Sequence, residues 1–171
     1  MSQSIAELRQ EYAMGALNEA EVDPDPLQQF QRWFSEAVAA QLPEPNAMTL
    51  ATADRTGRPY ARVMLLKGCD ADGFVFFTNY RSDKGRQLAE SPHVALVFLW
   101  LELERQIRIE GAVSPIPGAE SEAYFRSRPR ESRLGALASR QSQVVAGRQI
   151  LDERFQQLEA QYPDDNIPMP H

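Results

Sequence analysis

The stretch AMTLATADRTGRPYARVMLLKG, residues 47–68, decides the fold class of this 171-residue chain. Apolar and polar residues alternate on both sides of the tetrapeptide DRTG, and a period of two is typical of β-strands. A short polar link that contains glycine, placed between two such runs, indicates a hairpin turn. The stretch therefore predicts two antiparallel strands joined at residues 54–57.

Three similar runs follow along the chain: GFVFFTN (73–79), HVALVFLWL (93–101) and ERQIRIEGAV (104–113). A second hairpin signal, DADG, precedes the first of them. The segment SDKGRQLAE predicts a short helix that crosses between strands, with Ser82 as its N-cap. Several short strands at close spacing favour an antiparallel barrel or sandwich.

Helical periodicity flanks these strands. It predicts helices in SIAELRQEYAMG (4–15), PLQQFQRWFSEAVAAQL (26–42), GAESEAYFRS (118–127) and QSQVVAGRQILDERFQQLEAQY (141–162). We therefore expect one α+β domain over residues 1–171, in which residues 1–25 form an N-terminal helix and loop and residues 163–171 form an exposed tail.

The composition is that of a soluble globular protein, with 43% hydrophobic and 25% charged residues. The formal net charge of -6 argues against nucleic acids and anionic membranes as partners, because both attract a basic surplus. A single cysteine fits a reducing cytoplasm. The sequence shows no signal peptide, no apolar run long enough to span a membrane, no plausible metal site, no Walker loop and no GxGxxG motif.

Positive charge is concentrated in YFRSRPRESRLGALASRQS, residues 124–142, which holds five arginines and one acid. Phosphate groups are bound by charged donors and by backbone N–H groups at helix starts. Arg128 and Ser132 lie around one predicted helix start, and Lys84 lies in the first turn of another. Two such sites suit a phosphorylated cofactor beside a phosphorylated substrate, although a solvated surface position is the commoner alternative for any single arginine.

Other candidate residues also have ordinary structural alternatives. Arg62 and Lys67 point to opposite faces of a regular strand, so they meet one ligand only at a bulge or around a strand end. Gln106 shares its strand face with Arg108, and the two could form an ordinary polar face. Tyr124 lies at helical spacing, which is typical of an aromatic residue at the edge of a core. Spacing alone indicates an α+β domain that binds phosphorylated small molecules.

The chain also resembles the pyridoxamine 5'-phosphate oxidase family, the FMN enzymes that make pyridoxal 5'-phosphate. The similar segments are LRQEY, DPLQQFQRWFSEA, AMTLATADRTGRPYARVMLLKG, GFVFFTNYRSDKG, ERQIRIEG, YFRSRPRESRLGALASRQS and IPMP, in this order over almost the whole chain. The combination of RVMLLK, ERQIRIEG and the arginine-rich segment is highly specific. The resemblance implies an FMN-binding split β-barrel, mostly antiparallel with flanking helices, that forms a homodimer with FMN in a cleft between subunits.

The resemblance further implies the residues of the site. Those expected to bind FMN are Arg62, Val63, Met64, Leu65, Leu66, Lys67, Phe77, Thr78, Lys84, Gln106, Gln141 and Ser142, with Arg62 and Lys84 on its phosphate. The substrate phosphate is expected on Lys67, Tyr124, Arg128 and Ser132, and Arg9 and Tyr12 match an N-terminal segment that folds over the substrate. The implied reaction is oxidation of pyridoxamine or pyridoxine 5'-phosphate by dioxygen, with no catalytic nucleophile, because the flavin supplies the redox chemistry.

Two departures from the family pattern stand out. Asp83 stands where many relatives carry an arginine, and an acid there weakens the positive field around the phosphate. Relatives also continue beyond the position of His171 with residues that contact FMN and the substrate, so a chain ending there is expected to bind phosphorylated ligands but to oxidise them poorly. A non-catalytic FMN- or pyridoxal-phosphate-binding protein and a phenazine-pathway FMN oxidase are the alternatives.

Overall fold

The computed structural model describes residues 4–8 and 11–170 of the chain. The helices and strands are, in chain order, α1 (Pro26–Ala39), β1 (Ala47–Ala53), β2 (Pro59–Leu65), β3 (Gly68–Asp70), β4 (Gly73–Val75), α2 (Asp83–Glu90), β5 (His93–Trp100), β6 (Arg105–Ala112), α3 (Gly118–Ser127), α4 (Arg130–Ala138) and α5 (Arg148–Gln161). Short 3₁₀ turns lie at Ile5–Glu7, Glu19–Glu21 and Leu101–Leu103. Within the described ranges, no helix is long and apolar enough to cross a membrane.

The strands form two sheets. One has four strands in the order β2-β1-β5-β6, and the other is the antiparallel pair β3–β4, in which Gly68 lies opposite Val75. In the part of the chain that the structure describes, the strands do not close into a complete barrel. Antiparallel sheet with flanking helices confirms the predicted α+β class.

Asp54 organises the turn between β1 and β2. Its backbone N–H donates to the carbonyl of Arg58 at 3.1 Å, and its carboxylate accepts from the Thr56 hydroxyl at 2.6 Å and the Tyr60 hydroxyl at 3.1 Å. The Thr56 hydroxyl is the main cause that lowers the pKa of Asp54 to about 2. Gly57 has φ of 82°, a conformation that favours glycine. The DRTG hairpin prediction is therefore confirmed.

The chain divides into two compact units. The first comprises Met1–Thr49, Val63–Phe76 and Leu96–Ile109, and the second comprises Leu50–Arg62, Phe77–Ala95 and Glu110–His171. The core of the first unit is aromatic: the ring of Phe30 lies 4.8 Å from that of Phe74 and 5.1 Å from that of Phe98. The contact with Phe74 is edge-to-face and the contact with Phe98 is tilted by 58°, and aromatic pairs of these kinds stabilise a core beyond the burial of their area.

Helix α1 supplies much of this aromatic core. The Asp25 carboxylate accepts from the backbone N–H of Leu27 at 2.9 Å and so caps the first turn. Phe30 and Ala37, two turns apart, are buried, whereas Val38 is 51% exposed. The buried face of α1 therefore includes Phe30 and Ala37, and Val38 lies outside it.

The second unit is built around Phe125 of α3 and Leu134 of α4, with α5 packed alongside. Ile167 joins this core and is only 6% exposed. The prediction of an exposed tail over residues 163–171 is therefore wrong at Ile167, although most of its described neighbours are exposed. Burial of an isoleucine side chain contributes about 1.5–3 kcal/mol, which explains why this polar segment lies against the helices.

Two helix boundaries match the sequence closely. Helix α2 begins directly after Ser82, whose hydroxyl accepts from the backbone N–H of Gly85 at 3.2 Å. Helix α3 spans Gly118–Ser127, the predicted range. It ends before Pro129, because the residue preceding a proline avoids the helical conformation.

Three other predictions differ from the structure. Helix α5 begins at Arg148 rather than at residue 141, because Gly147 has an extended backbone with φ of −178°. Strand β4 stops at Val75 instead of continuing to residue 79. The N-terminal helix is wrong: Ile5–Glu7 is a single 3₁₀ turn and residues 11–15 are not helical. These residues are exposed, and short helices without packing partners are marginal in water.

Candidate functional site

The guanidinium of Arg62 on β2 is fixed by neutral acceptors. Its Nη1 donates to the carbonyl of Leu50 at 3.2 Å and to the hydroxyl of Thr52 at 2.6 Å, and its Nη2 donates to the side-chain oxygen of Gln87 at 2.8 Å. Thr52 and Gln87 are buried and share a further hydrogen bond of 2.6 Å. Since these partners carry no charge, the positive charge of Arg62 stays available to an anion.

Lys84, in the first turn of α2, is the second cation of this site. Burial lowers the pKa of Lys84, and the positive charge of Arg62 lowers it further. Burial also lowers the pKa of Arg62. The negative charge of Asp83 raises the pKa of both Arg62 and Lys84, but the Asp83 carboxylate is paired with Arg86. Two partly buried cations that repel one another are both stabilised by a bound anion.

The loop before α2 packs closely against the first turn of the helix. The Ser82 hydroxyl donates to the carbonyl of Asn79 at 2.6 Å while it caps the helix. A Cβ atom placed on Gly85 would lie 2.3 Å from the carbonyl oxygen of Tyr80. Only glycine permits this approach, so Gly85 sets the position of the turn that carries Lys84.

Lys84 is joined to a distant predicted site residue. Its Nζ donates to the side-chain oxygen of Gln141 at 3.1 Å, across 57 positions of sequence. The next residue, Ser142, has φ of 67°, which lies in the left-handed region. Such a conformation is costly for a residue with a side chain and is common at ligand sites. The structure therefore brings together Arg62, Lys84 and Gln141.

Phe77 and Tyr124, also predicted as site residues, are stacked. Their ring centroids lie 3.7 Å apart and the ring planes differ by 6°. Next to Phe77, the hydroxyl oxygen of Thr78 is buried and has no hydrogen-bond partner among the described residues. Buried hydroxyls are normally bonded, so this one indicates a position for a ligand atom.

Arg128 and Ser132 lie around the start of α4 and are both half-buried. Among residues 4–8 and 11–170, neither the Arg128 guanidinium nor the Ser132 hydroxyl forms a hydrogen bond. By contrast, Arg126 and Arg130 pair with glutamates. Two unengaged donors beside a helix start are the arrangement expected of a phosphate site.

The remaining predicted cofactor residues belong to the first unit. Leu66 is buried, Met64 and Leu65 are half-buried, and Val63, Lys67 and Gln106 are exposed. Strand β2 ends at Leu65. The rule that placed Arg62 and Lys67 on opposite faces of a regular strand therefore does not apply to Lys67.

Tyr12 lies on an exposed segment that is attached to the turn before β6. The backbone N–H groups of Ala13 and Met14 both donate to the carboxylate of Glu104 at 2.7 Å. Tyr12 itself is 77% exposed. Arg9, the other residue predicted to cover the substrate, lies outside the described residues.

Sequence reasoning missed three polar residues of the second unit. Thr52 and Gln87 hold Arg62, and Arg133 is buried beside Arg128. Thr52 carries a signal in the sequence, because its position shares a strand face with the apolar Met48 and Leu50 and a polar residue there needs a partner. No comparable pattern marks Gln87.

A family model described as pyridoxamine 5'-phosphate oxidase matches residues 34–162, which include most of the site residues above. The chain belongs to the pyridoxamine 5'-phosphate oxidase family. This confirms the resemblance that its motifs carry.

Individual relatives agree with the family assignment. A pyridoxine/pyridoxamine 5'-phosphate oxidase from Trichormus variabilis is 55% identical over 99% of this chain and 79% of its own length. A protein of the same name from Acaryochloris marina is 57% identical over 98% of this chain and 76% of its own length. Among solved structures, PhzG from Burkholderia lata 383 in complex with tetrahydrophenazine-1-carboxylic acid has a TM-score of 0.82 at 28% identity, covering 91% of this chain and 76% of that one. The fold is accordingly α+β and similar to a split barrel.

Proposed function

We propose that the chain is an FMN-dependent oxidase that converts pyridoxamine 5'-phosphate or pyridoxine 5'-phosphate to pyridoxal 5'-phosphate, with dioxygen as the acceptor. Relatives that are more than half identical over nearly the whole chain carry the name of this activity. Within the molecule, the proposal rests on the pair of partly buried cations Arg62 and Lys84, which bond to neutral acceptors and form no ion pair with a carboxylate among the described residues.

The residues of the second unit fit the phosphorylated cofactor. Arg62 and Lys84 would hold the FMN phosphate, whose negative charge would offset both the burial and the repulsion from Arg62 that lower the pKa of Lys84. The orphaned hydroxyl of Thr78 would gain a partner, and Gln141 and Ser142 would contact the flavin. Backbone and side chains of Val63–Lys67 and the amide of Gln106 complete the proposed cofactor set. When bound, FMN would supply the redox chemistry of the oxidation, and these residues would hold it.

The protein's own contribution is to bind and orient the phosphorylated substrate. We assign its phosphate to Lys67, Tyr124, Arg128 and Ser132, and the covering segment to Arg9 and Tyr12. Arg128 and Ser132 offer donors that are otherwise unengaged among the described residues. A hydrogen bond from a charged donor to the phosphate contributes about 1.5–3 kcal/mol to binding. In the proposed reaction, these side chains act mainly by holding the substrate in position.

We also propose a cytoplasmic homodimer. In the first unit, Val63 of β2, Leu99 of β5 and Leu101 of the turn after β5 are 69%, 57% and 65% exposed, which is unusual for large apolar residues. Exposed apolar surface of this kind commonly marks a protein interface. The proposed interface is of the obligate type, above roughly 2,000 Å². Light scattering at micromolar concentration tests it, and a monomer would contradict it.

A phenazine-pathway oxidase is the second candidate, because PhzG shares the fold with a TM-score of 0.82. The donors of Arg128 and Ser132 favour a phosphorylated substrate instead. The test is hydrogen peroxide release by the FMN-loaded protein with pyridoxamine 5'-phosphate and, separately, with tetrahydrophenazine-1-carboxylic acid, the compound bound to PhzG. Peroxide with the phosphorylated amine alone supports the proposal. Peroxide with the phenazine alone favours the second candidate, and no peroxide with either indicates a binding protein without turnover.

A further inference from the structure

Arg133, on α4, is a buried arginine whose donors are all directed at the protein. Its side chain is 8% exposed. Nε donates to the carbonyl of Arg128 at 3.0 Å, and Nη1 donates to the carbonyl of Asp165 at 3.2 Å. Nη2 donates to both carboxylate oxygens of Asp165 at 2.7 Å. Since each nitrogen is engaged within the chain, Arg133 is not available to a ligand.

The contact with Arg128 lies at the corner between α3 and α4. Arg128 follows the last residue of α3 and has an extended backbone, with φ of −74° and ψ of 149°. Carbonyl groups at a helix end lack an intrahelical partner, and Arg133 supplies one from the first turns of the next helix. This bond fixes the peptide between Arg128 and Pro129, and therefore the direction in which the Arg128 side chain leaves the backbone.

Asp165, which pairs with Arg133, lies in a part of the tail that is packed against the helices. Its backbone is left-handed, with φ of 64°. Two residues further on, Ile167 is buried against Phe125 of α3 and Leu134 of α4. The tail is therefore anchored to the same helices that the ion pair joins, and Asp165 is fixed relative to Arg133.

We propose that Arg133 and Asp165 are positioning residues for the phosphate-binding guanidinium of Arg128, and that the tail thereby sets the affinity for phosphorylated ligands. The inference rests on the proposed function, in which Arg128 and Ser132 hold the substrate phosphate. Stability alone does not account for the pair, because the Asp165 side chain is 54% exposed and ion pairs open to solvent contribute little to stability. What the pair provides is a fixed Arg128 backbone with the guanidinium of that residue left unengaged.

The test compares binding of pyridoxamine 5'-phosphate and pyridoxamine by titration calorimetry without oxygen, with the protein loaded with reduced FMN so that neither ligand is oxidised during the titration. In Arg133→Lys the charge remains but the forked contact to Asp165 and Arg128 is lost. We expect the preference for the phosphorylated ligand to fall about tenfold, the loss expected for one poorly placed charged hydrogen bond, with the affinity for pyridoxamine unchanged.

Arg130→Lys is the matched control. Arg130 lies on the same helix and also approaches Asp165, at 3.9 Å, but it bonds to the carbonyl of Tyr162 instead of that of Arg128. Its substitution should leave the phosphate preference unchanged. A drop of equal size in both variants would show a general effect on the tail and would overturn the positioning role.

Asp165→Ala provides a second variant in case Arg133→Lys does not fold, since the Asp165 side chain is 54% exposed. It should lower the phosphate preference in the same direction. If Asp165→Ala and Arg133→Lys keep the preference for the phosphorylated ligand while Arg128→Ala loses it, the positioning inference is overturned and the proposed function is not. If Arg128→Ala also keeps the preference, the substrate-phosphate assignment of the proposed function is wrong, and the inference falls with it.

Discussion

Replacing Arg62 with alanine removes a partly buried guanidinium that bonds to Leu50, Thr52 and Gln87. In the proposed site it also removes one of two cations on the FMN phosphate. A charged hydrogen bond contributes about 1.5–3 kcal/mol, which corresponds to roughly ten- to a hundredfold in affinity. Burial is the main cause that lowers the pKa of Lys84, and loss of Arg62 removes the second cause, the repulsion between the two charges, so Lys84 holds its proton more firmly beside the phosphate. We therefore expect the lower end, about tenfold.

The assay is titration of FMN and of riboflavin into the cofactor-free protein, followed by flavin fluorescence. Riboflavin has no phosphate, so its affinity should be unchanged in Arg62→Ala while that of FMN falls. Arg58→Ala is the matched control, because Arg58 is an exposed arginine just before the same strand whose guanidinium lies over the Tyr60 ring at 5.5 Å. Thr52→Val keeps the Arg62 charge but removes one of its supports, and an intermediate loss is expected.

Equal losses of FMN and riboflavin affinity in Arg62→Ala would contradict the phosphate-binding role of Arg62, because they would show that Arg62 supports the fold of the site and does not bind the phosphate. Equal affinity of the unaltered protein for the two flavins would refute it more broadly, since no phosphate subsite would then exist around Arg62 and Lys84.

Three further predictions concern neighbouring residues. Gly85→Ala should weaken FMN binding and destabilise the fold by about 1–3 kcal/mol, because the new Cβ meets the Tyr80 carbonyl; urea unfolding and FMN titration measure both effects, and an unchanged variant would contradict the close approach. The affinity for FMN relative to riboflavin should fall as pH rises through the lowered pKa of Lys84, because the phosphate prefers the charged amine. Lys84→Ala should abolish this pH dependence. If the pH dependence persists in Lys84→Ala, a group other than Lys84 causes it. The stack of Phe77 on Tyr124 should give a coupling of about 0.5–1.5 kcal/mol in a double-mutant cycle of Phe77→Leu and Tyr124→Leu on affinity for pyridoxamine 5'-phosphate; additive effects would show that Phe77 does not position Tyr124.

The parts of the fold that depend on local chemistry were predictable from the sequence. The DRTG turn, the Ser82 cap and the range of α3 each follow from residues within one turn or one hairpin. Family motifs, in turn, indicated Lys84 and Gln141 as members of one site, and the structure brings their side chains to 3.1 Å. The predicted roles of these residues toward FMN stay predictions until the titrations are made.

The parts that depend on distant packing were not predictable. The partners of Arg62 include Gln87, which is 25 positions away, and no sequence pattern marks that pairing. Ile167 lies in a polar, proline-rich tail and is buried only because α3 and α4 present an apolar surface to it. In the sequence, Arg133 is one of five arginines in a basic segment. Its structural role was not predictable, because its partner Asp165 lies 32 positions further on.

The most direct test of the proposed activity is a single turnover of the FMN-loaded protein without oxygen. Pyridoxamine 5'-phosphate is added in excess, and the visible flavin absorbance and the amount of pyridoxal 5'-phosphate are followed together, with pyridoxamine as the matched unphosphorylated control. We expect loss of the flavin absorbance and formation of about one pyridoxal 5'-phosphate per bound FMN, much faster than with pyridoxamine. Unchanged flavin absorbance with saturating pyridoxamine 5'-phosphate would contradict the proposed oxidase function.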